Sequence, residues 1–600
     1  MKTGLKNDRL GGMMLPQIKR ISNLEGLAKY KEEWKNILSD NQNFNPFLEF
    51  DWIENWWSYL GSKHILFVLI ILMEDRVVGI CPFMIIKRRF FQEITFIGYP
   101  EASYMDLILT REAGAQGIKA VMEYIKSLNG NFILHLFGLS ENSFTRKALE
   151  NYFKKRPYRF FTRAFEAPFL RMDGDFTTYF RSRTKHNSIR MLNKSQCKLE
   201  EAGSVIYKQL SGSEIGKCFQ LHEKRWMRKY DASSFTETMH REFFRALLNK
   251  PNLSFQVSLN GLMIGQRLIA FTYGFLCNGT YYIYRICHDD DFSVYGPGKI
   301  ILMKLIEDCF QKDVQVFDFG LGYARYKYEW TNDKKLWYEF IASFGSRSSH
   351  ISYYKYLIRK SLIEGAKKYK YYDSLKLVLM GKIHCFFSGI YFGDMINLIR
   401  RIRRAVLCNG LHKFLIESLK SLYQYKEIMI IEIDLDHLRQ DTAVCNKSQT
   451  DLKEGLIIKK AYINDLDILS YAMKEKPAQI IKHFYDKQSC FILEDGIQKK
   501  DYLWIDYKHI GIPDIKYQED LSENNMYIDL TKVDVTDLIS AFKTMHKVIN
   551  KLHPEKCSKC YMGFNINKEE LKNQLGEISC KPYKYLIYKK LLFLSWLTIK

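Results

Sequence analysis

The chain has 600 residues, 47% hydrophobic and 26% charged, with 39 Tyr, 40 Phe and a formal net charge of +23. This length exceeds what a single hydrophobic core organises, so roughly two to four domains of ordinary globular composition are expected. The positive excess favours an anionic partner, whether nucleic acid, a phosphorylated cofactor or an anionic membrane surface, with a Lys-rich background as the plain alternative.

The 13 Cys follow no framework spacing, which suits reduced thiols rather than a disulfide scaffold. The start, MKTGLKNDRLGGMMLPQ, lacks the apolar core of a signal peptide. The longest apolar runs, Ile65–Met73 and Leu591–Ile599, are about half a membrane span. A cytoplasmic protein is expected, at most peripheral to the inner face of a membrane.

Residues 1–20 read as a weakly attached tail. Ile21–Asp40 reads as one capped amphipathic helix, and Asn45–Leu60 as a second, whose Trp56 is either core or the wall of a groove. Strands follow at HILFVLIILMED and RVVGICPFMIIKRRF, with a turn at Asp75-Arg76, then at QEITFIGYP and YMDLILT. The helix AGAQGIKAVMEYIKSL, the strand NFILHLFGL and the helix NSFTRKALENYF complete a mixed α/β lobe over residues 21–165.

A second lobe, 166–345, opens with FLRMDGDFTTYF and a basic helix over Arg181–Gly203. Arg190, Lys194 and Lys198 share one face of it, either solvated or set against phosphate from cofactor, lipid or RNA. After the strand VIYKQL come a helix carrying His222 and Trp226, the helix MHREFFRALLNK, and paired strands joined at Asn260-Gly261. Cys277-Asn278-Gly279 separates two aromatic-rich runs and predicts a β-hairpin. Ser293-Val294-Tyr295-Gly296-Pro297-Gly298-Lys299 then leads into the helix IILMKLIEDCFQK, with Pro and Gly at its mouth. The strand VQVFDFG, bearing Asp318, and the segment Tyr326-Lys327 come next. Strand, glycine turn, helix and second strand describe a phosphate-accepting βαβ element, although Gly-Pro-Gly also occurs for turn geometry alone. LWYEFIASFG closes the lobe.

Residues 346–424 are helical and basic, with Arg400, Arg401, Arg403 and Arg404 clustered beside apolar residues, as in a linker or a membrane-surface segment. From 425 to 600 the same order of elements returns, with a hairpin turn at Asp495-Gly496. No glycine turn precedes its long helix, where Thr531-Lys532-Val533-Asp534 stands. Cys557 and Cys560 have no second pair, so no metal is expected.

FNPFLEFDWIENWW, FIGYPEASYMDLIL, FLRMDGDFTTYFRSRTKHNSIRMLNK, LHEKRW and the run from Tyr282 to Trp330 occur in that order. Over residues 20–345 they resemble the bacterial acetyltransferase family of the GNAT superfamily that includes CelD/BcsL-type proteins of exopolysaccharide and cellulose synthesis. That family is similar in build to the Fem peptidyltransferases, and residues 427–600 resemble a further GNAT domain more loosely. The resemblance implies mixed α/β sheets in tandem GNAT-like lobes, with a third, degenerate GNAT-like domain at the C-terminus. It also implies acyl transfer from acetyl-CoA or another acyl-CoA to an amine or hydroxyl of a sugar or cell-envelope precursor. The superfamily's pyrophosphate motif falls on Ser293, Gly296 and Gly298, with Ser in place of Gln or Arg, and Lys299 adds a cation. N–H groups from Ile286 to His288 would face the thioester oxygen. Asp318 would serve as base, Tyr326 as acid to the leaving thiolate, Lys327 as partner to a phosphate or carboxylate, and His222 as a further catalytic group. Arg285, costly in an apolar strand unless paired, would meet either an acid such as Asp318 or, with Trp226 and Trp56, the substrate. Two other classes stay open: a Fem-like aminoacyltransferase gripping tRNA with Arg181–Lys198, and a non-catalytic scaffold of polysaccharide synthesis.

Overall fold

The computed structural model describes residues 16–41, 44–155, 157–183, 187–230, 234–344, 350–358, 423–435, 457–473, 475–486, 488–494, 500–512, 517–522, 525–529, 558–565, 581–591 and 594–599. They divide into two compact units, Met1–Cys197 with Val205–Ser374, and Lys198–Ser204 with Leu375–Lys600.

The first unit opens with β1 (Gln17–Ile21), α1 (Leu24–Ala28), α2 (Lys31–Asp40) and α3 (Phe50–Leu60). Asn23 caps α1 by accepting from the Gly26 N–H at 2.8 Å. The expected single helix over 21–40 is therefore two helices, and Gln17–Arg20 are paired strand rather than loose tail. The cause is the apolar strand β3 (Val68–Met73), which takes β1 as antiparallel partner along one edge. Around it stand β2 (Ile65–Leu66), β4 (Arg76–Cys81), β5 (Phe83–Lys87), β6 (Gln92–Phe96), β7 (Ile108–Leu109), α4 (Gly114–Ser127), β8 (Phe132–Ser140) and α5 (Phe144–Phe153). The β3–β4 turn uses Glu74 and Asp75 at φ 48° and 60°, one residue earlier than expected.

The second lobe runs β9 (Arg159–Arg171), α6 (Phe176–Arg183), α7 (Asn187–Arg190), α8 (Leu192–Ala202), β10 (Val205–Gln209), α9 (Ile215–Tyr230) and α10 (Thr238–Asn249). It continues with β11 (Gln256–Ile264), β12 (Arg267–Cys277), β13 (Thr280–His288), α11 (Pro297–Gln311), β14 (Val316–Asp318) and β15 (Lys334–Ser343). The expected continuous basic helix is thus divided among α6, α7 and α8. Arg190 and Lys194 are exposed, whereas Arg183 donates to the carbonyls of Tyr328 and Glu329 at 3.1 and 3.0 Å. Asn260-Gly261 is not a turn. Both lie within β11, where a Cβ at Gly261 would stand 2.8 Å from Leu210, and Gly265, at φ 55°, makes the turn instead. Asn278 and Gly279, at φ 43° and 71°, form the expected hairpin turn.

The sheets follow a repeated plan. Antiparallel strands lead to a helix, which crosses to a strand parallel to the last: α4 carries β6 to β8, and α11 carries β13 to β14. One eleven-stranded sheet, ordered β10-β11-β12-β13-β14-β9-β15-β8-β6-β5-β2, serves both lobes, and β1-β3-β4-β7 form a second sheet. Two strands join the lobes. β9 passes through 165/166 and pairs with both β14 and β15, while β15, the last strand of the second lobe, lies between β9 and β8. One core spans both, with Trp52 edge-on to Phe243 at 5.8 Å and Phe47 edge-on to Phe275 at 5.8 Å.

In the second unit β16 (Tyr423–Asp434), β17 (Ile457–Lys460), α12 (Leu466–Met473), α13 (Pro477–Tyr485), β18 (Ser489–Glu494) and β19 (Lys500–Asp506) come first. A short pair, β20 (His509–Ile512) and β21 (Tyr517–Asp520), precedes β22 (Asn525–Asp529), β23 (Lys559–Asn565), β24 (Lys581–Leu591) and β25 (Leu594–Ile599). The order β17-β18-β19-β22-β23-β16-β24 repeats β10-β11-β12-β13-β14-β9-β15 strand for strand, and β22 with β23 is again the parallel pair. The fold is therefore tandem GNAT-like lobes followed by a third copy. Cys560 is buried in β23. Cys557, the Asp495-Gly496 turn, Thr531–Asp534 with the helix after it, and Arg400–Arg404 lie outside the described residues. Among the described residues no helix is long and apolar enough to cross a membrane, and no group of three metal-ligating side chains gathers.

Candidate active site

The site begins with an incomplete strand pair. β13 pairs with β14 only through Thr280–Tyr282, yet it keeps β12 on its other edge as far as His288. From Ile283 onward no described strand pairs with the edge of β13 that faces β14, so the alternate backbone groups pointing to that edge have no strand partner. Tyr284 adds to the divergence, as a bulge between Ile283 and Arg285, the partners of Gly274 and Tyr273. The wedge between the strands is a cavity of about 260 Å³. β13 lines it with Ile283, Tyr284, Arg285 and Ile286. The segment beginning at β14 supplies Asp318–Leu321, Tyr326 and Lys327, and the first lobe contributes Phe47, Pro100, Glu101, Ser103 and Tyr104.

Asp318 ends β14 and is 7% exposed. Its Oδ1 accepts from the Tyr104 hydroxyl at 2.6 Å and from the Gly320 N–H at 2.7 Å. Burial raises its carboxyl above the ordinary range, with the bonds from Tyr104 and Gly320 and the charge of Lys327 opposing. Tyr326 is kept protonated, because burial raises its phenol while Arg225 opposes.

Lys327 lines the cavity, but its ammonium turns away from any substrate. It donates to the carbonyls of Gly320, Leu321 and Gly322 at 2.8, 3.1 and 3.1 Å, which uses all three protons. Burial brings its pKa down to about 8, with Asp318 opposing, so it stays charged at neutral pH. The expected partner of phosphate is thus the clasp of a loop whose Gly320 and Gly322 sit at φ 76° and 92°.

Three other expected residues lie outside the cavity lining. His222 stacks on Trp226 at 5.4 Å and is buried. Its pKa falls to about 4 through burial and then the charges of Arg285 and Arg225, so it is a neutral core histidine. Trp226 is occupied by that stack. Trp56 is 1% exposed and acts one step behind the wall, its indole N–H donating to Glu101 Oε2 at 3.1 Å. Glu101 Oε1 stands 3.2 Å from His240 Nε2, and the Glu101 carbonyl accepts from the Tyr284 hydroxyl at 3.0 Å. Sequence reasoning passed over Phe47, Glu101, Tyr104, Tyr284, Arg225 and His240. The Tyr-Pro-Glu that ends an apolar strand is the one local hint of Glu101.

The head of α11 differs from expectation. A 3₁₀ turn over Asp290–Tyr295 precedes it, and Gly296 joins the two at φ 66°. The Gly296 N–H donates to the Ser293 carbonyl at 3.0 Å, Pro297 has no N–H, and those of Lys299 and Ile300 return to Gly296. That leaves the Gly298 N–H. Lys299 Nζ is 2.6 Å from Glu329 Oε2, and Ser293 is exposed. Ser293, Gly296 and Lys299 therefore do not clamp a diphosphate as expected. What stands beside the free amide is His288. A Cβ at Gly298 would come within 2.6 Å of its Nδ1, which in turn lies 2.9 Å from Arg225 Nη1. Space beside Gly296 is open to 4 Å. The Gly298 amide, His288 and Arg225 stand together, with Asp290 at 3.2 Å from Arg225 as their counter-charge.

The parallel strand pair thus splays beside its crossover helix, with one strand edge uncovered and a buried carboxylate at the end of the other. Residues 186–328 match the family described as acetyltransferase (GNAT) domain, a stretch that reaches from the start of α7 beyond Asp318 and Lys327. The second lobe thus carries the stretch that matches a GNAT acetyltransferase domain. Among solved structures, the chain is similar to the C-terminal domain of a putative lysylphosphatidylglycerol synthetase from Agrobacterium fabrum, at 10% identity and TM-score 0.34, covering 54% of this chain and 94% of that one. FemX is similar at 6% identity and TM-score 0.36, with coverage of 48% and 90%. An N-acetyltransferase from Thermoplasma acidophilum in complex with coenzyme A is similar at 16% identity and TM-score 0.16, with coverage of 18% and 75%. Comparison with curated proteins gave no match.

Proposed function

We propose that the first unit moves an acyl group, acetyl first among them, from acyl-CoA to an amine or hydroxyl of a sugar or cell-envelope precursor, as in the CelD/BcsL-type proteins. The observation that carries this reading is the placement of Asp318 at the end of β14, across the wedge from the uncovered edge of β13. CoA supplies a thioester, held at its phosphate end by the Gly298 N–H, His288 and Arg225. Asp318 takes the proton from the attacking nitrogen or oxygen, and its raised pKa brings it nearer neutrality, where a base works best. N–H groups around Ile286 receive the oxyanion of the tetrahedral intermediate. Tyr326 returns a proton to the departing sulfur. The net charge of +23 supports work beside anionic envelope components, in the cytoplasm or at the inner membrane face.

The test is thiol release from acetyl-, butyryl- and palmitoyl-CoA in the presence of amino sugars, neutral sugars and polysaccharide fragments. Acceptor-dependent release that disappears in Asp318→Asn is expected. Transfer from aminoacyl-tRNA with none from CoA thioesters would overturn the reading.

A further inference from the structure

Arg285 is the cation in the cavity wall that neither the reaction nor the Gly320–Gly322 clasp uses. It follows the bulged Tyr284 on β13, and its guanidinium lies 4.9 Å from the centroid of the Tyr284 ring. Its Nε is buried without a hydrogen-bond partner. The neighbouring carboxylates are committed elsewhere: Asp318 to Tyr104 and Gly320, Glu101 to Trp56 and His240, and Asp290 to Arg225. None of the ion pairs among the described residues includes Arg285. Arg285 is half-buried, and a guanidinium drawn partly from water with no carboxylate paired to it is costly, so its place in a ligand cavity points to a charge that arrives with the ligand.

We infer that Arg285 receives a carboxylate on the molecule that enters this cavity, borne either by the acceptor, as in a sugar acid, or by the far end of the transferred acyl group, as in a dicarboxylic half-thioester. What happens to that molecule rests on the acyltransferase reading; its binding does not. The planar fork of an arginine matches a carboxylate with two parallel N–H···O bonds, a fit that a lysine cannot reproduce. Phe47, Tyr104, Tyr282 and Tyr326 face the same space and suit the carbon skeleton behind the acid. At about 260 Å³ the cavity falls below the roughly 300–1,000 Å³ typical of drug-sized ligands, so it takes one end of a molecule rather than the whole.

Titration calorimetry on the full chain, without a second substrate, tests this. One series compares glucuronate, glucose and glucose 1-phosphate; the other compares succinyl-CoA with butyryl-CoA. The acid member of one series is expected to bind roughly ten- to hundredfold more tightly than its neutral counterpart, as for a charge-assisted bond. That preference disappears in Arg285→Gln and is only partly kept in Arg285→Lys, while circular dichroism confirms folding. The series that shows it identifies which molecule bears the acid. No acid preference in either series, glucose 1-phosphate outcompeting glucuronate, or an unchanged preference in a folded Arg285→Gln would each overturn the inference. Acid-selective binding without thiol release would retain this inference and remove the acyltransferase reading. Thiol release indifferent to the acid would do the reverse.

Discussion

Replacing Lys327 by Met separates a loop clasp from a substrate contact. The ammonium, 6% exposed, donates to three carbonyls between 2.8 and 3.1 Å. Hydrogen bonds from a charged group contribute about 1.5–3 kcal/mol each, a sum of about 5–9 kcal/mol. Against that, Met removes several kcal/mol of ammonium desolvation, and the half-buried carbonyls of Gly320–Gly322 can regain water. A net loss of about 2–4 kcal/mol is expected. The loop then keeps two ties, the Gly320 N–H to Asp318 and the Gly322 N–H to the Glu166 carbonyl at 2.8 Å, so turnover falls with stability. The assay is the urea midpoint at pH 7 measured beside thiol release. Lost turnover with an unchanged midpoint would refute the clasp and return Lys327 to direct contact with substrate.

Tyr104→Phe removes a bond that holds the Asp318 carboxyl down, so the acid limb of the kcat/KM–pH profile should move to higher pH. Gly296→Ala meets no side chain and strains only the backbone at φ 66°, so chemical denaturation should show a loss of about 1 kcal/mol. In the first lobe His135 lies fully buried between Glu93 at 2.6 Å and Glu339 at 2.7 Å. Burial lowers its pKa, but the two carboxylates outweigh it and raise the folded value above the ordinary 6.5. Its contribution is complete below pH 6.5 and is lost as pH rises through the folded value. His135→Gln should flatten the fall of the urea midpoint over that range, and an equally steep fall in the variant would contradict the assignment.

Periodicity and turn chemistry made the strands and helices of the lobes legible, because those signals are local. Asn278-Gly279 could be placed from two residues, since such a pair readily accepts two positive φ angles in succession. The repeated βαβ order also revealed three copies without any letter-level similarity. Glycine was the weaker guide. Gly261 sits in a strand because Leu210 packs against it, and Gly298 is small because His288 needs the space, yet both read equally well as a turn and a phosphate loop. The far wall of the cavity could not be read at all. Phe47, Glu101 and Tyr104 meet β13 and β14 from about two hundred residues away, and β15 returns to the first lobe, a pairing set by tertiary packing. The same applies to Lys327. A lysine directly before an aromatic–acid pair gives no sign that three loop carbonyls will take up its protons.

Acyl transfer through Asp318 is tested most directly by Asp318→Asn, which keeps an oxygen for the Tyr104 hydroxyl and the Gly320 N–H but cannot take a proton. Thiol release with the best acceptor should fall by roughly 10²–10⁴-fold, the usual contribution of a general base, while the urea midpoint stays within about 1 kcal/mol of wild type, as for a conservative swap that keeps its hydrogen bonds. Turnover within a few-fold of the parent would contradict it and leave Glu101, the cavity's other carboxylate, as the group to examine.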